Sequence, residues 1–575
     1  MRRVGPVPPL FPRPRQVDVV GPVGDPTERA VQPDPGLPRQ GYRLDVGPEG
    51  ATIRHADEAG LRYARHTLAQ LAGADERPAL VITDHPDLAR RGFMLDISRD
   101  RVPTTATLDW LVEVLAALRF DHLELYVEHT YAYRDHPEVW RDASPITADE
   151  LRQLDDRCAA AGIELVVNQN TFGHMERWLR HDAHRWRAEC PDGATNPFTG
   201  RPMPPATLAP TPANADFALA LVREQAAQVR SRTVHIGADE PFELGQGASA
   251  AEVAARGRTA VYLEHLQRLL GPLVEEGRTV LFWGDLMRRD PAPAAALPEG
   301  AVPVIWHYDP PAEDPGLLGR LDPEVLADLG LPDGFHRGFA AHLAAVAAAG
   351  RAHWVAPGTS TWNSVVGRCD DARANVLDAA AAARSSGAEG LLLTDWGDNG
   401  HLQPLVVSLL PMVVAAGAAW CASTNADLDP TPVVDRLAGT PGLGALLADV
   451  GTVHRVPGVQ TANASALFAA LDPGRPVPLV GTPEPGPLAA VLDRLDAAVA
   501  AAGGLGRLDV LAAVRAARHG AWRLAQRAGL DDRLPPADQR DADAREVRAL
   551  HAEAWAATSR PGGLVDSLRH LPGGS

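Results

Sequence analysis

The chain contains no lysine, so all 55 of its basic side chains are arginines. Without a lysine amine, Schiff-base chemistry and catalytic-lysine chemistry are excluded. Cysteine is scarce, and Cys158, Cys190, Cys369 and Cys421 form no CxxC pair. Their scatter predicts neither a zinc module nor a disulfide framework. The side chains that remain as candidates for chemistry are carboxylates, histidines and aromatic rings.

Positive charge is also in deficit, because 73 acidic residues give the chain a net charge of −18. Nucleic acids and anionic membranes are bound through basic patches, so neither is an expected partner. Arg2 and Arg3 are followed by a proline-rich stretch instead of an apolar one. We therefore expect no signal peptide, no membrane span and a cytoplasmic location.

The length of 575 residues is too great for one hydrophobic core and predicts several domains. Residues 1–88 contain an alternating hairpin, 41–46 with 51–55, and an amphipathic helix over 57–71. These patterns predict a small N-terminal α/β domain. Residues 421–575 are rich in Ala, Leu and Arg, and predict an α-helical C-terminal region.

Residues 89–420 alternate apolar, strand-like runs with segments of helical period. Eight strands are predicted, at 92–97, 122–127, 163–168, 233–237, 279–283, 302–307, 353–357 and 390–395. Strands that are apolar on both faces and alternate with helices favour the α/β class, as a (β/α)8 TIM barrel. An open doubly wound sheet is the alternative, and the lack of a GxGxxG motif after the first strand weakens it.

Two adjacent carboxylates, Asp239 and Glu240, follow the predicted fourth strand. Adjacent anions repel each other, and burial raises that cost, so folding alone gives no reason to place them there. A solvated strand end that caps the next helix is the plain alternative. In a barrel, however, the loops after the strands carry the chemistry, which favours a catalytic pair.

Tryptophans recur at the same predicted end of the barrel, at Trp283, Trp306, Trp362 and Trp396. Core packing would explain any one of them, but four at matching positions favour an aromatic cage. Indole walls with interspersed polar side chains suit a sugar, which has an apolar face and a rim of hydroxyls. No HExxH motif is present, and we expect no metal and no cofactor.

Two motifs in the chain resemble glycoside hydrolase family 20, the β-N-acetylhexosaminidases. One runs from Arg91 to Arg99 as Arg-Gly-x-x-Leu-Asp-x-Ser-Arg, and the other from His235 to Glu240 as His-Ile-Gly-x-Asp-Glu. The resemblance covers roughly residues 40–420. It implies an exo-acting, retaining enzyme that removes terminal N-acetylhexosamine from glycosides. The nucleophile in that family is the substrate's own acetamido oxygen, which forms an oxazolinium intermediate.

The resemblance also implies a role for individual residues. Glu240 would act as general acid and then general base, and Asp239 would accept the acetamide N–H. Tyr308 would donate to the acetamide oxygen. The other implied substrate contacts are Arg91 for the 3- and 4-hydroxyls, His174 from the family's Pro-Gly-His turn, the pocket tryptophans Trp283, Trp306 and Trp396, and Asp398 for the 4- and 6-hydroxyls.

The chain departs from the family pattern at several of these positions. Glu128 lies where the family has paired aspartates. Asn170 lies where the family has the last residue of a Pro-Glu-Ile-Asp sequence. Together with Asp398, these residues are expected to decide which sugar fits, and gluco and galacto preferences both stay open.

Two other functions remain as alternatives. One is a barrel that binds amino sugars without hydrolysing them. The other is a retaining barrel glycosidase with separated carboxylates, Asp96 or Asp285 acting with Glu240. The expected partner is a small carbohydrate, and a homodimer is one alternative for the oligomeric state.

Overall fold

The computed structural model describes residues 7–573, except 76, 197–199, 329, 473, 475 and 476. Its first sheet has five strands, β1 Gln16–Gly21, β2 Glu28–Pro33, β3 Tyr42–Gly47, β4 Gly50–His55 and β5 Ala79–Asp84. They lie in the order β1-β5-β3-β4-β2, and helix α1, Glu58–Ala72, packs on β3 and β4. Asp57 caps α1 by accepting the Gly60 N–H at 2.9 Å. The predicted hairpin and helix are therefore confirmed.

The centre of the molecule is a closed barrel of eight parallel strands, which confirms the predicted (β/α)8 class. The strands are β6 Arg90–Asp96, β7 His122–Val127, β8 Glu164–Gln169, β9 Thr233–His235, β10 Thr279–Trp283, β11 Ala301–Trp306, β12 Trp354–Ala356 and β13 Gly390–Asp395. Neighbours pair in chain order, and β13 closes the barrel against β6. Most of their residues are buried because helices cover the outer face.

The helices between and after the barrel strands surround it. They are α2 Thr105–Ala117, α3 Pro137–Trp140, α4 Ala148–Ala161, α5 Glu176–Leu179, α6 Asp182–Arg185, α7 Pro212–Ala226, α8 Ala250–Arg256, α9 Arg258–Glu275, α10 Pro291–Ala295, α11 Pro323–Asp328, α12 Phe339–Ala348, α13 Cys369–Ser386 and α14 Leu409–Asn425. Short 3-10 turns lie at Asp285–Met287, Leu318–Arg320, Phe335–Arg337 and Leu405–Ser408. Thr147 and Glu150 form a capping box that begins α4.

The C-terminal region is helical, with α15 Thr431–Ala438, α16 Leu443–Val450, α17 Ala466–Leu471, α18 Pro485–Gly504, α19 Leu508–Arg527, α20 Ala537–Thr558 and α21 Leu564–Arg569. A 3-10 turn at Asp531–Arg533 and a two-residue strand pair, Val459–Gln460 with Val480–Gly481, complete it; a second such pair joins Ala194–Thr195 to Pro202–Met203. Pro441 and Gly442 separate α15 from α16. The predicted boundary after residue 420 falls inside α14, and the C-terminal helices share one hydrophobic core with the barrel.

The last described helices are attached to the loop that follows β6. The Thr104 N–H donates to the carbonyl of Thr558 at 3.0 Å, and the Arg560 N–H donates to the carbonyl of Val102 at 2.8 Å. The Arg560 side chain also forms an ion pair of 2.8 Å with Glu150. Gly563 has a positive φ of 82°, and a Cβ there would lie 1.6 Å from the carbonyl oxygen of Asp100. Glycine is therefore required for this close approach.

One run among the described residues, Leu405–Asn425, is long and apolar enough to cross a membrane by length and composition. The sequence analysis did not anticipate it. The run ends with α14, and 83% of its most apolar window is buried inside the molecule. A buried core helix has the same length and composition, so the run is weak evidence for a membrane span. The cytoplasmic location and the lack of a membrane partner stay predictions.

Candidate active site

The adjacent carboxylates lie on a turn beyond β9 instead of on the strand itself. β9 ends at His235, two residues earlier than predicted. The next residues include Gly237, Ala238 and Glu240, with positive φ angles of 61°, 67° and 44°. Left-handed backbone at Ala238 and Glu240 is unfavourable and is retained where the surrounding structure holds it. The turn, and not the alternation of a strand, therefore sets the directions of Asp239 and Glu240.

Asp239 is held from two sides. Asn170 Nδ2 donates to Asp239 Oδ1 at 2.7 Å, and His174 Nε2 lies 3.4 Å from Asp239 Oδ2. Burial by itself would raise the pKa of Asp239, but the charge of His174 and the hydrogen bonds from His174 and Asn170 lower it below its usual value. Asp239 is therefore ionised at neutral pH, and its orientation is fixed.

Glu240 is more open to solvent than its neighbour, with 30% of its side chain exposed against 9% for Asp239. His174 Nε2 lies 3.4 Å from Glu240 Oε2, so one imidazole contacts both carboxylates. The Glu240 N–H donates to Asp285 Oδ2 at 2.9 Å. Trp306 Nε1 donates to Asp285 Oδ1 at 2.6 Å, so Asp285 supports the backbone under Glu240. Burial raises the pKa of Asp285 to about 6.

The structure overturns the role predicted for Arg91. Arg91 lies near the start of β6, and the carboxyl ends of the strands, where Glu240 lies, are at the opposite end of the barrel. Its guanidinium donates to the hydroxyl of Tyr63 at 2.7 Å and forms an ion pair of 3.1 Å with Asp121. With 1% of its surface exposed, it cannot reach a substrate. It joins the barrel to the small N-terminal domain.

Arg99 occupies the position that was expected for Arg91. It follows the carboxyl end of β6 and forms ion pairs with Asp96 at 3.0 Å, Asp398 at 3.1 Å and Glu128 at 3.4 Å. Its Nη2 lies 3.4 Å from Nδ1 of His174, the imidazole that contacts both Asp239 and Glu240. Its side chain is 19% exposed, so one part of the guanidinium still faces the open site.

Glu128 and Asp398 are two of the positions at which the chain departs from the family pattern. Both lie beside Arg99. Burial raises the pKa of Glu128 to about 7 despite the nearby charge of Arg99. Burial also raises the pKa of Asp398, again against Arg99. Tyr126 donates to Glu128 Oε1 at 3.0 Å and accepts from Asn170 Nδ2 at 3.2 Å. Through Tyr126, the group around Arg99 and the group around Asp239 form one hydrogen-bonded network.

The four predicted tryptophans meet in one aromatic cluster. Trp283 and Trp362 have no exposed surface, so in this conformation they support the cage from behind instead of contacting a ligand. Trp306 and Trp396 lie nearer the opening, with Trp396 6% exposed. Asn170 is likewise fully buried, so it positions Asp239 and does not itself face a ligand.

Tyr308 lies in the middle of this cluster. Its ring stacks on Trp306 with centroids 5.4 Å apart and meets Trp362 edge-on at 5.0 Å. Trp396 Nε1 donates to the Tyr308 hydroxyl oxygen at 2.8 Å, and the side chain of Thr394 is a second hydrogen-bond partner of that hydroxyl. Burial holds the pKa of Tyr308 well above its usual value, so the phenol stays protonated.

Two groups among the described residues have the geometry to hold a metal ion. One is His174 with Asp239 and Glu240, and the other is His136 with Glu138 and His184; in each, the ligand atoms lie within 4.8 Å of one another. In the first group, the two carboxylates raise the pKa of His174 well above its usual value, although burial acts against them. A protonated imidazole donates to the neighbouring carboxylates, and it would have to lose its proton before it could bind a metal ion.

Three contributors to the site were not predicted from the sequence: Arg99, Tyr126 and the supporting role of Asp285. Arg91 begins and Arg99 ends the same sequence motif. The direction of the strand between them could have identified Arg99, because it places Arg99 beyond the carboxyl end of the strand. Because barrel chemistry lies after the strands, the arginine that follows β6 was the better candidate. Tyr126 lies within the buried strand β7, where an aromatic residue is typical of core packing and gives no indication of a polar role.

The model of glycosyl hydrolase family 20, domain 2, matches residues 8–85, and that of the family 20 catalytic domain matches residues 89–315. A beta-hexosaminidase of Akkermansia muciniphila is 29% identical over 280 residues, 43% of this chain and 56% of that protein. A beta-N-acetylhexosaminidase of Cellulomonas fimi is 26% identical over 322 residues, 51% of this chain and 62% of that protein. The chain thus spans less than two thirds of the length of these relatives.

A solved structure of a beta-N-acetylhexosaminidase from Bacteroides fragilis superimposes with a TM-score of 0.54. The match covers 72% of this chain and 90% of that one at 16% sequence identity, and it shows a common fold. The two family models together match more than half of the chain. With the barrel, the small N-terminal domain and the carboxylate pair in place, the chain belongs to glycoside hydrolase family 20.

Proposed function

We propose that the protein is an exo-acting, retaining β-N-acetylhexosaminidase that works by substrate-assisted catalysis. The observation that carries this proposal is the unequal environment of two adjacent carboxylates. Asp239 is buried, hydrogen-bonded to Asn170 and His174, and has a lowered pKa, whereas Glu240 is more exposed. Such a difference suits two separate tasks, one electrostatic and one that moves a proton.

In the first step, the acetamido oxygen of the substrate attacks the anomeric carbon as the bond to the leaving group breaks. Glu240 gives its proton to the departing glycosidic oxygen. Asp239 accepts the acetamide N–H and stabilises the positive charge that develops on the oxazolinium ring. The lowered pKa of Asp239 keeps it anionic for this purpose. Tyr308 donates its phenolic proton in a hydrogen bond to the acetamide oxygen.

In the second step, the Glu240 carboxylate removes a proton from water, and the water oxygen attacks the anomeric carbon. The oxazolinium ring opens, the acetamide is restored, and Glu240 is again protonated. Two displacements at one carbon give net retention of configuration. The hydrogen-bonded network that begins at Asp239 ends in a group of three ionisable side chains, Arg99, Asp398 and Glu128. These side chains can bind sugar hydroxyls. A terminal sugar held there supports exo action.

In the alternative mechanism with separated carboxylates, Asp96 or Asp285 would act together with Glu240. Asp96 accepts from the N–H of Ser98 at 2.8 Å and of Gly397 at 3.0 Å, and it pairs with Arg99. Asp285 accepts from the Glu240 N–H and from Trp306. Both oxygens of each aspartate are thus committed to local structure, which disfavours either as a nucleophile.

The test compares hydrolysis of an aryl N-acetyl-β-glucosaminide and galactosaminide by the wild-type protein, Glu240→Gln and Asp239→Asn. We expect Glu240→Gln to lower kcat by about 10²–10⁴-fold, the usual contribution of general acid–base catalysis. Glu553→Gln, the same change on an exposed helical glutamate, should leave kcat unchanged.

Substrate assistance is tested by replacing the acetamido group with a hydroxyl. The corresponding 2-hydroxy glycoside should be a much poorer substrate, and a thiazoline mimic of the intermediate should inhibit strongly. If the wild-type protein cleaves the 2-hydroxy glycoside equally well, the acetamido group is not the nucleophile. If it cleaves no N-acetylhexosaminide at all, the proposed activity is wrong.

A further inference from the structure

The cavity beside Glu240 continues away from the carboxylate pair into a second, larger cavity. Glu240, Trp306 and Tyr308 line the inner cavity. Four residues line both cavities and mark where they join, Asp309, Leu318, Phe335 and Asn463. The outer cavity has a volume of about 460 Å³, which lies within the range of small-molecule sites. A cleft therefore leads outward from the side of the site where Glu240 lies.

The outer wall of this cleft comes from the C-terminal region, over residues 456–466, which we name the outer segment. Asn463 projects from it into both cavities, with a positive φ of 45°. The buried Arg368 donates to Asn463 Oδ1 at 2.7 Å, and Asn363 Nδ2 donates to the Asn463 carbonyl at 3.2 Å. Asn363 also accepts from Asn399, the neighbour of Asp398, at 2.9 Å. The outer segment is thus fixed to the same loops that carry the candidate active site.

The lining of the outer cavity is suited to a neutral sugar. Leu318, Phe335 and Val459 offer apolar surface, and Gln460 and Thr461 add amide and hydroxyl groups. The cationic side chains there already have partners, Arg368 in Asn463 and Arg455 in Asp371. The carboxylates of Asp309 and Asp314 lie on the same lining, and they would repel an acidic sugar.

We propose that the outer segment and the loop after β11 form a subsite for the leaving group, and that this leaving group is a neutral sugar. This inference rests on the proposed function. A general acid must contact the glycosidic oxygen, so the leaving group extends from that oxygen past Glu240 and into the cleft. The natural substrates are then oligosaccharides or glycoconjugates with a neutral sugar next to the terminal N-acetylhexosamine, and the C-terminal region takes part in choosing them.

The experiment measures kcat/KM for a β-linked trisaccharide of N-acetylglucosamine and for the aryl N-acetyl-β-glucosaminide, and uses the ratio of the two. Ala462→Trp places a large ring on the outer segment, where Ala462 lines the outer cavity. Gln460→Ala removes one exposed amide from it. Gln539→Ala makes the same change on an exposed glutamine in α20 and serves as the matched control.

We expect the ratio to fall about tenfold in Ala462→Trp and about threefold in Gln460→Ala, the size of one lost hydrogen bond. The control should keep the wild-type ratio, and thermal unfolding should show that all three variants are folded. A disaccharide with a uronate as its second sugar should be a poorer substrate than the neutral disaccharide.

Failure of the subsite and failure of the proposed function give different results. If the aryl glycoside is hydrolysed but the ratio is the same in all variants, the leaving group does not use this cleft and the inference is overturned. Titration of the trisaccharide into Glu240→Gln protein gives a second readout, because Ala462→Trp in that background should weaken binding. If the wild-type protein hydrolyses neither substrate, the proposed function fails and the subsite fails with it.

Discussion

An arginine lies close to aromatic rings at each end of the barrel strand β6, Arg91 near its start and Arg99 just beyond its last residue. Arg91 lies 5.5 Å from the ring centroid of Tyr63 and 5.3 Å from that of Trp420. Arg99 lies 5.1 Å from the ring centroid of Tyr126 and 5.0 Å from that of Trp396. Each also pairs with acids, so the two sites have nearly the same chemistry.

The difference between them is how completely the protein satisfies the guanidinium. Arg91 donates to the carbonyls of Leu88 and Arg119, to the Tyr63 hydroxyl and to Asp121, and it is 1% exposed. The Arg99 side chain is 19% exposed and is surrounded by three carboxylates. A saturated arginine stabilises a domain contact, whereas an arginine with an open face can still bind a ligand. The same residue type thus serves stability at one end and recognition at the other.

The largest effect that would test this comparison is on stability, in Arg91→Met. Removing the guanidinium leaves the buried carboxylate of Asp121 without an opposite charge. This should lower the free energy of unfolding by about 3–5 kcal/mol. Chemical denaturation measures the loss. The kcat of the remaining folded protein should equal that of the wild type, and a large loss of kcat would place Arg91 in the site after all.

The next effect in size is on activity, in Arg99→Met. We expect kcat/KM for an aryl N-acetylhexosaminide to fall about 10²-fold, roughly the value of a charged hydrogen bond that is lost on the enzyme side. Stability should change less than in Arg91→Met, because the carboxylates left behind can take up protons. Equal losses of stability in the two variants would remove the distinction between the two arginines.

The last effect concerns the pH dependence of the free energy of unfolding, and it tests the environment of Glu128 beside Arg99. The pKa of Glu128 is raised to about 7 from an ordinary value of 4.5, so between these pH values the folded state binds more protons than the unfolded state. Its contribution to the free energy of unfolding therefore falls as the pH rises from about 4.5 to about 7. The shift corresponds to about 3 kcal/mol, and Glu128→Gln should remove at most that much of the pH dependence. Denaturant titrations of both proteins across this window measure it, and parallel curves would contradict the shift.

The barrel was predictable because buried parallel strands appear as apolar runs, such as 390–395, and helices between them keep a period of 3.6. The carboxylate pair was predictable because it follows a strand. Arg91 was assigned wrongly because the family motif contains two arginines, and only the second, Arg99, follows the carboxyl end of the strand. The left-handed turn at Ala238 and Glu240 could not be predicted, because alanine and glutamate usually avoid left-handed backbone and so do not indicate such a turn.

The part of the site that no local pattern could predict comes from distant sequence. Asn463 reaches the cavity beside Glu240 from more than two hundred residues away, and Arg560 contacts the loop after β6. Such contacts depend on the tertiary fold and not on the residues around either position. The sequence analysis therefore left the role of the C-terminal region open.

The attachment of α20 and α21 to the loop after β6 has a consequence for biosynthesis. Residues 102–104 bond to residues 558–560, so one of the first barrel loops is held by residues that are synthesised long after it. Contacts between residues so far apart in sequence form slowly, because a long loop must close before they can stabilise anything. On the ribosome, strand β6 can emerge and pair while the loop that carries Arg99 still lacks its final support. Ligand-binding competence should thus be acquired late, when residues 558–567 have left the exit tunnel.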